Sequence, residues 1–369
     1  MSRLVEEFLE LVQIDSETKH EQVIAPILVQ KLEDMGFDVF QDDSHTRTGH
    51  GAGNIIATLK GDESIEPIYF TVHMDTVVPG VGIKPEIRED GYIYSDGTTI
   101  LGADDKAGVA AIFEMARRIK EKNIAHGTIQ FIITAGEESG LVGAKELDPA
   151  LIIAKYGFAV DSDGKVGGIV VAAPFQAKVN VKVFGKTAHA GVAPEKGISA
   201  ITVAAKAVAQ LKLGRLDEET TANIGRFEGG KATNIVCDEV TIFAEARSID
   251  ETKLNAQTAH MKETFERVAK ENGARAEVEV ALSYPGFRVT EADKVVQVAQ
   301  AAAKAVGREP QLGISGGGSD ANVIAGFGIP TVNLSVGYEE IHTTNERMPV
   351  QELEKLADLL EQIIIETAK

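Results

Sequence analysis

Cysteine, basic residues and long apolar runs are all scarce in this chain. Its only cysteine, Cys237, excludes an internal disulfide and is expected to pack as a small apolar residue. No run of about 18 apolar residues occurs, and no basic segment followed by an apolar one opens the chain. We therefore expect a cytoplasmic protein, in a reducing compartment, that has no membrane partner.

The deficit of basic residues limits the classes of partner. Lysine and arginine number 37 against 56 acidic residues, which gives a net charge of −19. A surplus of negative charge argues against nucleic acid and anionic membranes as partners. The hydrophobic content of 44% is ordinary for a globular protein, and the 369 residues suggest about two domains.

The most informative segment is Thr71-Val-His-Met-Asp-Thr76, in which His73 and Asp75 come just after an apolar run over residues 67–72. The run is rich in β-branched and aromatic residues, so it predicts a buried strand. Strand side chains alternate between faces, so His73 and Asp75 point the same way if the strand persists. A carboxylate beside an imidazole suits a metal site, although such a pair alone is more often an ordinary polar strand end.

Four further segments carry acids or histidine close to predicted strands. Asp104 and Asp105 open an amphipathic helix, where an N-cap and an acid in the first turn would also explain them. The other residues follow apolar runs directly or through a short loop: Glu137 and Glu138 after 128–134, Asp161 after 156–160, and His342 after 330–335. In open α/β sheets the loops at the carboxyl ends of the strands converge on one crevice. Five such segments together predict a metal centre.

The order of elements predicts two domains. Alternating strands and helices to about residue 171 indicate an α/β domain with a mostly parallel sheet. From 175 to 285 the order becomes β-α-β-β-α-β, which is ferredoxin-like, and helix 291–306, strand 331–335 and helix 350–367 then resume the earlier pattern. We therefore predict a catalytic domain over 1–174 and 286–369, interrupted by a lid and dimerisation domain over 175–285. The polar loop from His45 to His50 is interpreted as surface.

These motifs together resemble the dinuclear zinc exopeptidases, and within them the peptidase T (tripeptide aminopeptidase) branch. The resemblance spans Thr71 to Glu346. It is carried by the strings His-Met-Asp-Thr, Asp-Gly-Thr-Thr-Ile-Leu-Gly-Ala-Asp-Asp-Lys-Ala-Gly, Gly-Glu-Glu-Ser-Gly and His-Thr-Thr-Asn-Glu. It implies the zinc-exopeptidase fold, an α/β domain interrupted by a lid, and two Zn²⁺ ions per chain. Cobalt or manganese would also suit such ligands.

The resemblance also implies roles for individual residues of the metal site. Asp104 bridges the two ions, and a cis peptide bond joins it to Asp105. The remaining ligands are His73 and Asp161 for one ion, and Glu138 and His342 for the other. Asp75 holds the ring of His73. Glu137 acts as general base on the bridging water and then as acid toward the leaving amine.

Further residues are implied in substrate binding. His189 stabilises the oxyanion, often from the lid of a partner subunit in a homodimer. The segment Gly185-Lys-Thr187 is not a phosphate loop, because that motif requires glycine where Asn180 stands. Arg247 could bind the carboxylate of a peptide, or equally form an ion pair at the sheet edge. The substrate-binding candidates are Asn234, Arg247, Gly317, Gly318 and Ser319.

The predicted function is that of a metal-dependent aminopeptidase that hydrolyses the N-terminal bond of short peptides. The metal core does not distinguish this activity from that of a carboxypeptidase, or from a deacylase or amidohydrolase acting on N-acyl amino acids. A catalytically silent peptide-binding module is the alternative that is not an enzyme. Retention of all five candidate ligands and Glu137 argues against it.

Overall fold

The computed structural model describes all 369 residues, and the chain divides into two compact units. Unit 1 comprises Met1–Ala172, Arg288–Ser315 and Ser319–Lys369, and unit 2 comprises Ala173–Phe287 with Gly316–Gly318. The lid predicted over 175–285 falls within unit 2. The glycine turn at 316–318, which the sequence assigned to the catalytic domain, groups with unit 2 instead.

Helices and strands alternate through most of the chain. The helices are α1 (Arg3–Val12), α2 (Ile24–Asp34), α3 (His45–Thr48), α4 (Ala103–Lys122), α5 (Val142–Lys145), α6 (Ala200–Val208), α7 (Glu251–Glu271), α8 (Lys294–Ala305), α9 (Asp320–Gly326) and α10 (Val350–Thr367). Two short 3₁₀ helices lie at Pro149–Leu151 and Pro194–Lys196. None of the helices is both long and apolar enough to span a membrane.

The strands are β1 (Asp38–Gln41), β2 (Ile55–Leu59), β3 (Ile68–His73), β4 (Glu86–Ile87), β5 (Tyr92–Tyr94), β6 (Ile129–Thr134), β7 (Tyr156–Ser162), β8 (Gly168–Ala173), β9 (Phe175–Phe184), β10 (Gly214–Arg215), β11 (Thr220–Gly229), β12 (Glu239–Ser248), β13 (Arg275–Tyr284), β14 (Phe287–Arg288), β15 (Gln311–Ile314), β16 (Thr331–Ser335) and β17 (Arg347–Pro349).

Unit 1 is built on a sheet with the strand order β1-β2-β6-β3-β7-β16-β8-β14, and β15 also pairs with β8. The central strands β6, β3, β7 and β16 are parallel, whereas β1 and β2 continue the sheet in antiparallel fashion. β3, β6 and β16 are buried along their whole length, as expected of parallel strands covered on both faces. The predicted α/β fold with a mostly parallel central sheet is confirmed.

Helices and aromatic side chains hold these strands in place. α4 packs against β3 and β7, α8 packs against β7 and β16, and α10 packs on both α4 and α8. The ring centroid of Phe70 on β3 lies 6.2 Å from that of Phe131 on β6 and 5.5 Å from that of Phe158 on β7. All three rings are buried in the core. This packing brings the carboxyl ends of β3, β6 and β7 to the same edge of the sheet.

Unit 2 has an antiparallel sheet in the order β10-β11-β12-β9-β13, covered by α6 and α7. Its strands alternate between buried and exposed residues: on β9, Val179 and Val181 are buried while Lys178 and Lys182 are exposed. This is the pattern of a sheet with one covered face. The succession β9, α6, β11, β12, α7 and β13 follows the β-α-β-β-α-β order expected from the sequence.

Two local features differ from the sequence interpretation. The sequence predicts a second helix from Lys19 to about Met35, but α2 begins at Ile24, because Lys19 has a left-handed φ of 78° and Glu17, just before it, forms a β-bridge with Thr76. A small sheet of β17, β5 and β4 was not predicted. Its strands have two or three residues, too few to produce a recognisable hydrophobic alternation.

Candidate metal centre

The five candidate ligands all lie in unit 1, near the carboxyl ends of its parallel strands. His73 is the last residue of β3, Asp161 lies near the end of β7, and Glu138 follows β6 by four residues. His342 lies in the loop after β16, and Asp104 lies at the start of α4. The parallel direction of the strands brings these positions together, which is why residues far apart in sequence converge here.

Asp104 lies between two imidazoles. Its Oδ1 is 3.0 Å from His73 Nε2, and its Oδ2 is 3.1 Å from His342 Nε2. His342 Nε2 is also 3.1 Å from Glu138 Oε1. That carboxylate oxygen is buried but has no hydrogen-bond partner. The peptide bond between Asp104 and Asp105 is cis, as the resemblance implies.

Asp161 lies on the other side of His73, with 3.8 Å between its Oδ1 and His73 Nε2. Tyr338 donates its hydroxyl proton to the same oxygen over 3.1 Å. The side chain of Asn333 on β16 accepts from the Asp161 N–H and donates to the Asp161 carbonyl. Both the carboxylate and the main chain of Asp161 are therefore held in place.

The ring of His73 is oriented chiefly by a main-chain group. Its Nδ1 lies 2.9 Å from the carbonyl oxygen of Asp75 and 3.5 Å from the Asp75 carboxylate. A carbonyl only accepts, so Nδ1 carries a proton, and Nε2, which faces the Asp104 carboxylate, is the nitrogen that could bind a metal in place of its own proton. The carbonyl makes the shorter contact and the Asp75 carboxylate also lies beside Nδ1, so the role of the Asp75 side chain in holding the ring stays a prediction.

The Asp75 carboxylate holds a different part of the site. Its two oxygens accept the main-chain N–H groups of Glu137 and Glu138, at 3.0 Å and 3.2 Å. The turn after β6 is therefore anchored to the residue two positions after His73. This contact sets where the two consecutive glutamates lie relative to the histidine.

His50 contacts the turn that carries Glu137 and Glu138, and it is buried, which corrects its interpretation as a surface residue. It is only 8% exposed, and its Nε2 lies 2.7 Å from Ser139 Oγ. A Cβ added to Gly136 would lie 2.5 Å from the His50 ring. Gly136 also has a φ of 70°, which glycine adopts readily. Both the glycine and the histidine therefore shape the turn that carries Glu137 and Glu138.

The cluster concentrates negative charge away from water. Burial raises the pKa of Asp161 and of Glu137 well above the ordinary range, and neighbouring carboxylates add to both shifts. Burial acts the same way on Asp104, but contacts with His342 and His73 outweigh it and lower its pKa. Several acids here therefore need positive charge nearby before they can all ionise.

Divalent cations suit this arrangement of donors. The potential ligand atoms of His73, Asp104 and Glu138 all lie within 4.8 Å of one another, as do those of His73, Asp105 and Asp161. Ligand atoms around a tetrahedral zinc ion with bonds of about 2.0 Å lie about 3.3 Å apart. The 3.0–3.1 Å separations around Asp104 are close to that value. The imidazole and carboxylate donors, together with the orphaned Glu138 oxygen, fit a pair of such ions.

A family model described as "Peptidase family M20/M25/M40" matches residues 69–366, which include all of these residues. The chain belongs to this peptidase family.

Similar proteins match this peptidase along its whole length. The aminopeptidase PepT of Bacillus cereus ATCC 10987 has a crystal structure that is 67% identical, with a TM-score of 0.96 over 100% of this chain and 98% of that one. A tripeptidase structure from Staphylococcus aureus subsp. aureus Mu50 is 53% identical, with a TM-score of 0.97 over 99% and 98%. The protein YqjE of Bacillus subtilis (strain 168) is 64% identical over 100% of this chain and 99% of its own length.

The predicted substrate-binding residues divide between the two units. His189 and Asn234 are exposed in unit 2, where a β-bridge joins His189 to Ile235. Arg247 forms the alternative ion pair, with Glu245, and also donates to the Gly316 carbonyl. Gly317 and Gly318 belong to unit 2 as well. Contact with a substrate remains a prediction for all of these.

Ser319, the remaining candidate, lies in unit 1 and is 8% exposed. Its hydroxyl accepts from Asn333 Nδ2 over 3.1 Å, and it caps α9 reciprocally with Asn322. These contacts give it a structural role at the start of a helix. Its contact with a substrate also remains a prediction.

Three residues of the peptidase site were not assigned roles from the sequence. Tyr338 contacts Asp161, Asp320 contacts Thr134 at the end of β6, and Glu346 accepts the N–H of Asp104. Glu346 ends the motif His-Thr-Thr-Asn-Glu, and Asp320 ends the glycine-rich turn, so their positions were visible. Their partners lie more than 170 residues away, and no local pattern indicates such contacts.

Replacing Asp75 with asparagine tests the anchoring of the turn. Asparagine has one acceptor oxygen, so one of the N–H groups of Glu137 and Glu138 loses its partner. We expect peptidase activity to fall by about 10- to 100-fold, as for other supporting residues of metal sites. Asp148→Asn, which alters an exposed carboxylate that also accepts a main-chain N–H, should leave activity unchanged. Equal activity of the two variants in a steady-state assay would contradict this role for Asp75.

Proposed function

We propose that this peptidase is a metal-dependent aminopeptidase that removes the N-terminal residue from short peptides, tripeptides in particular. The observation that carries the proposal is the convergence of two histidines and three carboxylates beside a further, partly buried acid, Glu137. The two solved structures described above are an aminopeptidase and a tripeptidase, and each matches nearly the whole chain. Both names support an exopeptidase acting on short peptides.

The proposed metals are two zinc ions, and manganese or cobalt would also suit the donors. His73 and Asp161 would hold one ion, Glu138 and His342 the other, and Asp104 both. When bound, the ions would activate a water molecule and polarise the scissile carbonyl. With the proton on His73 Nδ1 held by the Asp75 carbonyl, Nε2 would be the nitrogen that binds the ion.

Glu137 is the proposed general base and acid. Its neighbour Glu138 is assigned to the metal, and its own N–H is held by Asp75. Burial raises the pKa of the Glu137 carboxyl, which favours uptake of a proton from water. The same group would then return that proton to the leaving amine. No other acid is proposed for this transfer.

Residues of unit 2 are proposed to complete the reaction. His189 would donate to the oxyanion, and Asn234 and Arg247 would bind the peptide together with Gly317, Gly318 and Ser319. The exposure of the His189 and Asn234 side chains supports a role in contacts beyond their own unit. The Arg247 guanidinium already pairs with Glu245, so a peptide carboxylate would have to share it.

A homodimer formed through unit 2 and a cytoplasmic location are also part of the proposal. β13 is an edge strand of the five-stranded sheet, and Val280 and Leu282 on it are 40% and 56% exposed. Such an edge is suited to pairing with a second copy. We expect sedimentation velocity to give the mass of a dimer, and Leu282→Lys to shift the protein toward monomer. A monomeric wild-type protein at micromolar concentration would contradict this part.

Peptide digestion distinguishes the candidate activities. Trialanine, its N-acetyl form and its C-terminal amide are incubated with zinc-loaded protein, and the products are identified by mass spectrometry. We expect trialanine and its amide to lose the first residue, and the N-acetyl form to resist. Cleavage of the N-acetyl form with a resistant amide would instead indicate a carboxypeptidase or a deacylase, which the products distinguish. No cleavage of any peptide by the metal-loaded protein would favour the silent binding module.

Glu137→Gln tests the proposed proton transfer. The amide keeps the shape of the side chain but cannot accept or return a proton, so kcat should fall by at least about 10²-fold. Metal content, measured by elemental analysis, should stay at the wild-type level. Glu63→Gln, in an exposed loop of unit 1, serves as the control and should retain full activity. Near-normal turnover of Glu137→Gln would refute the role.

A further inference from the structure

Glu346 is a buried carboxylate that the proposed chemistry does not use. It is 1% exposed. Its Oε2 accepts the N–H groups of Leu101 and Gly102, each over 2.8 Å, and its Oε1 accepts the N–H of Asp104 over 3.0 Å. All three donors belong to the chain segment that enters α4. The Glu346 side chain therefore accepts three main-chain N–H groups within residues 101–104, the short segment that ends at Asp104.

The same residue belongs to the loop that carries His342. Glu346 follows His342 by four residues, and its own N–H donates to the Thr343 carbonyl over 3.1 Å. The next residue, Arg347, begins β17 and exchanges main-chain hydrogen bonds with Glu339. The loop is thus held by hydrogen bonds within itself and, through the Glu346 side chain, by hydrogen bonds to the segment that enters α4. The two segments are separated by 242 residues in sequence.

A carboxylate is the group that suits this position. Ionised, it only accepts, and its two oxygens can receive three N–H groups at once. Asp104 and Asp105 have non-helical backbone angles, so the N–H groups at this entry are not paired by regular helical hydrogen bonds and need acceptors from elsewhere in the chain. A glutamine would direct an NH₂ group toward at least one of these donors. An aspartate would keep the charge but is one methylene shorter.

We propose that Glu346 is a positioning residue for the metal centre, which fixes the main chain at Asp104 and ties it to the loop that carries His342. In this role it sets the separation between the carboxylate and the imidazole that flank one ion, without touching the ion. The inference rests on the metal site of the proposed function. It goes beyond that site, because it makes the metal affinity of the site depend on a residue outside the ligand set.

The test measures metal affinity apart from activity. Wild-type protein, Glu346→Gln, Glu346→Asp and Glu352→Gln are stripped with a chelator and checked for folding by circular dichroism. Zinc affinity is then measured by competition with a chromogenic chelator. Glu352 is a matched control: it is also a buried acid that accepts a main-chain N–H, from Val166, and its other carboxylate oxygen pairs with Arg308, which is not a candidate ligand. Both glutamine variants therefore lose one buried carboxylate.

We expect Glu346→Gln to bind zinc about 10- to 100-fold more weakly than wild type, and Glu346→Asp to lie between them. At saturating zinc, kcat should fall while KM changes by less than about twofold. Glu352→Gln should lose thermal stability in the metal-free form but keep wild-type zinc affinity. If Glu346→Gln does not fold, the aspartate variant decides.

Zinc affinity of the Glu346 variants equal to wild type would overturn the inference and leave the proposed function intact. An equal loss of affinity in Glu352→Gln would also overturn it, since a general loss of packing would then explain the effect. A wild-type protein that binds no zinc would overturn the proposed function itself, and this inference with it.

Discussion

The rest of unit 1 is arranged around Asp104, whose two carboxylate oxygens contact imidazoles from distant parts of the chain. His73 precedes Asp104 by 31 residues, and His342 follows it by 238. Bringing these groups within about 3 Å requires that β3 and β16 be parallel members of one sheet and that α4 begin at its edge. The parallel sheet, the buried aromatic rings and the helices that cover them meet this requirement. Their packing determines the site.

Burial makes this arrangement electrostatically demanding. Asp161 and Glu137 have raised pKa values chiefly because burial disfavours their charged forms. For such an acid the folded state is favoured while the group is protonated, and this contribution is lost as the pH rises from the ordinary pKa through the raised one. These acids therefore lower the free energy of unfolding of the metal-free protein near neutral pH. Divalent cations that bind only the folded state would counteract this effect and stabilise it by mass action.

Residues outside the set of candidate ligands hold several parts of the site in place. Asp75 holds the turn of Glu137 and Glu138, Tyr338 and Asn333 hold Asp161, and Glu346 holds the entry to α4. Many of these hydrogen bonds end on main-chain N–H groups, so they fix loops as well as side chains. Loops after parallel strands would otherwise be the least constrained parts of the unit. Their precise placement is what a metal site requires.

The sequence by itself determined the elements and the chemical types of the site. β16 and α10 have the predicted bounds, because a continuous apolar run or strong helical periodicity marks them. The five candidate ligands were also visible, since each stands beside a strand or opens a helix. Only the tertiary structure decided how these groups are supported. Asp75 orients His73 through its carbonyl, His50 contacts the turn that carries Glu137 and Glu138, and Glu346 contacts Asp104. These contacts join segments, or main-chain atoms, whose distances depend on how the whole sheet packs, and local sequence patterns do not encode such distances.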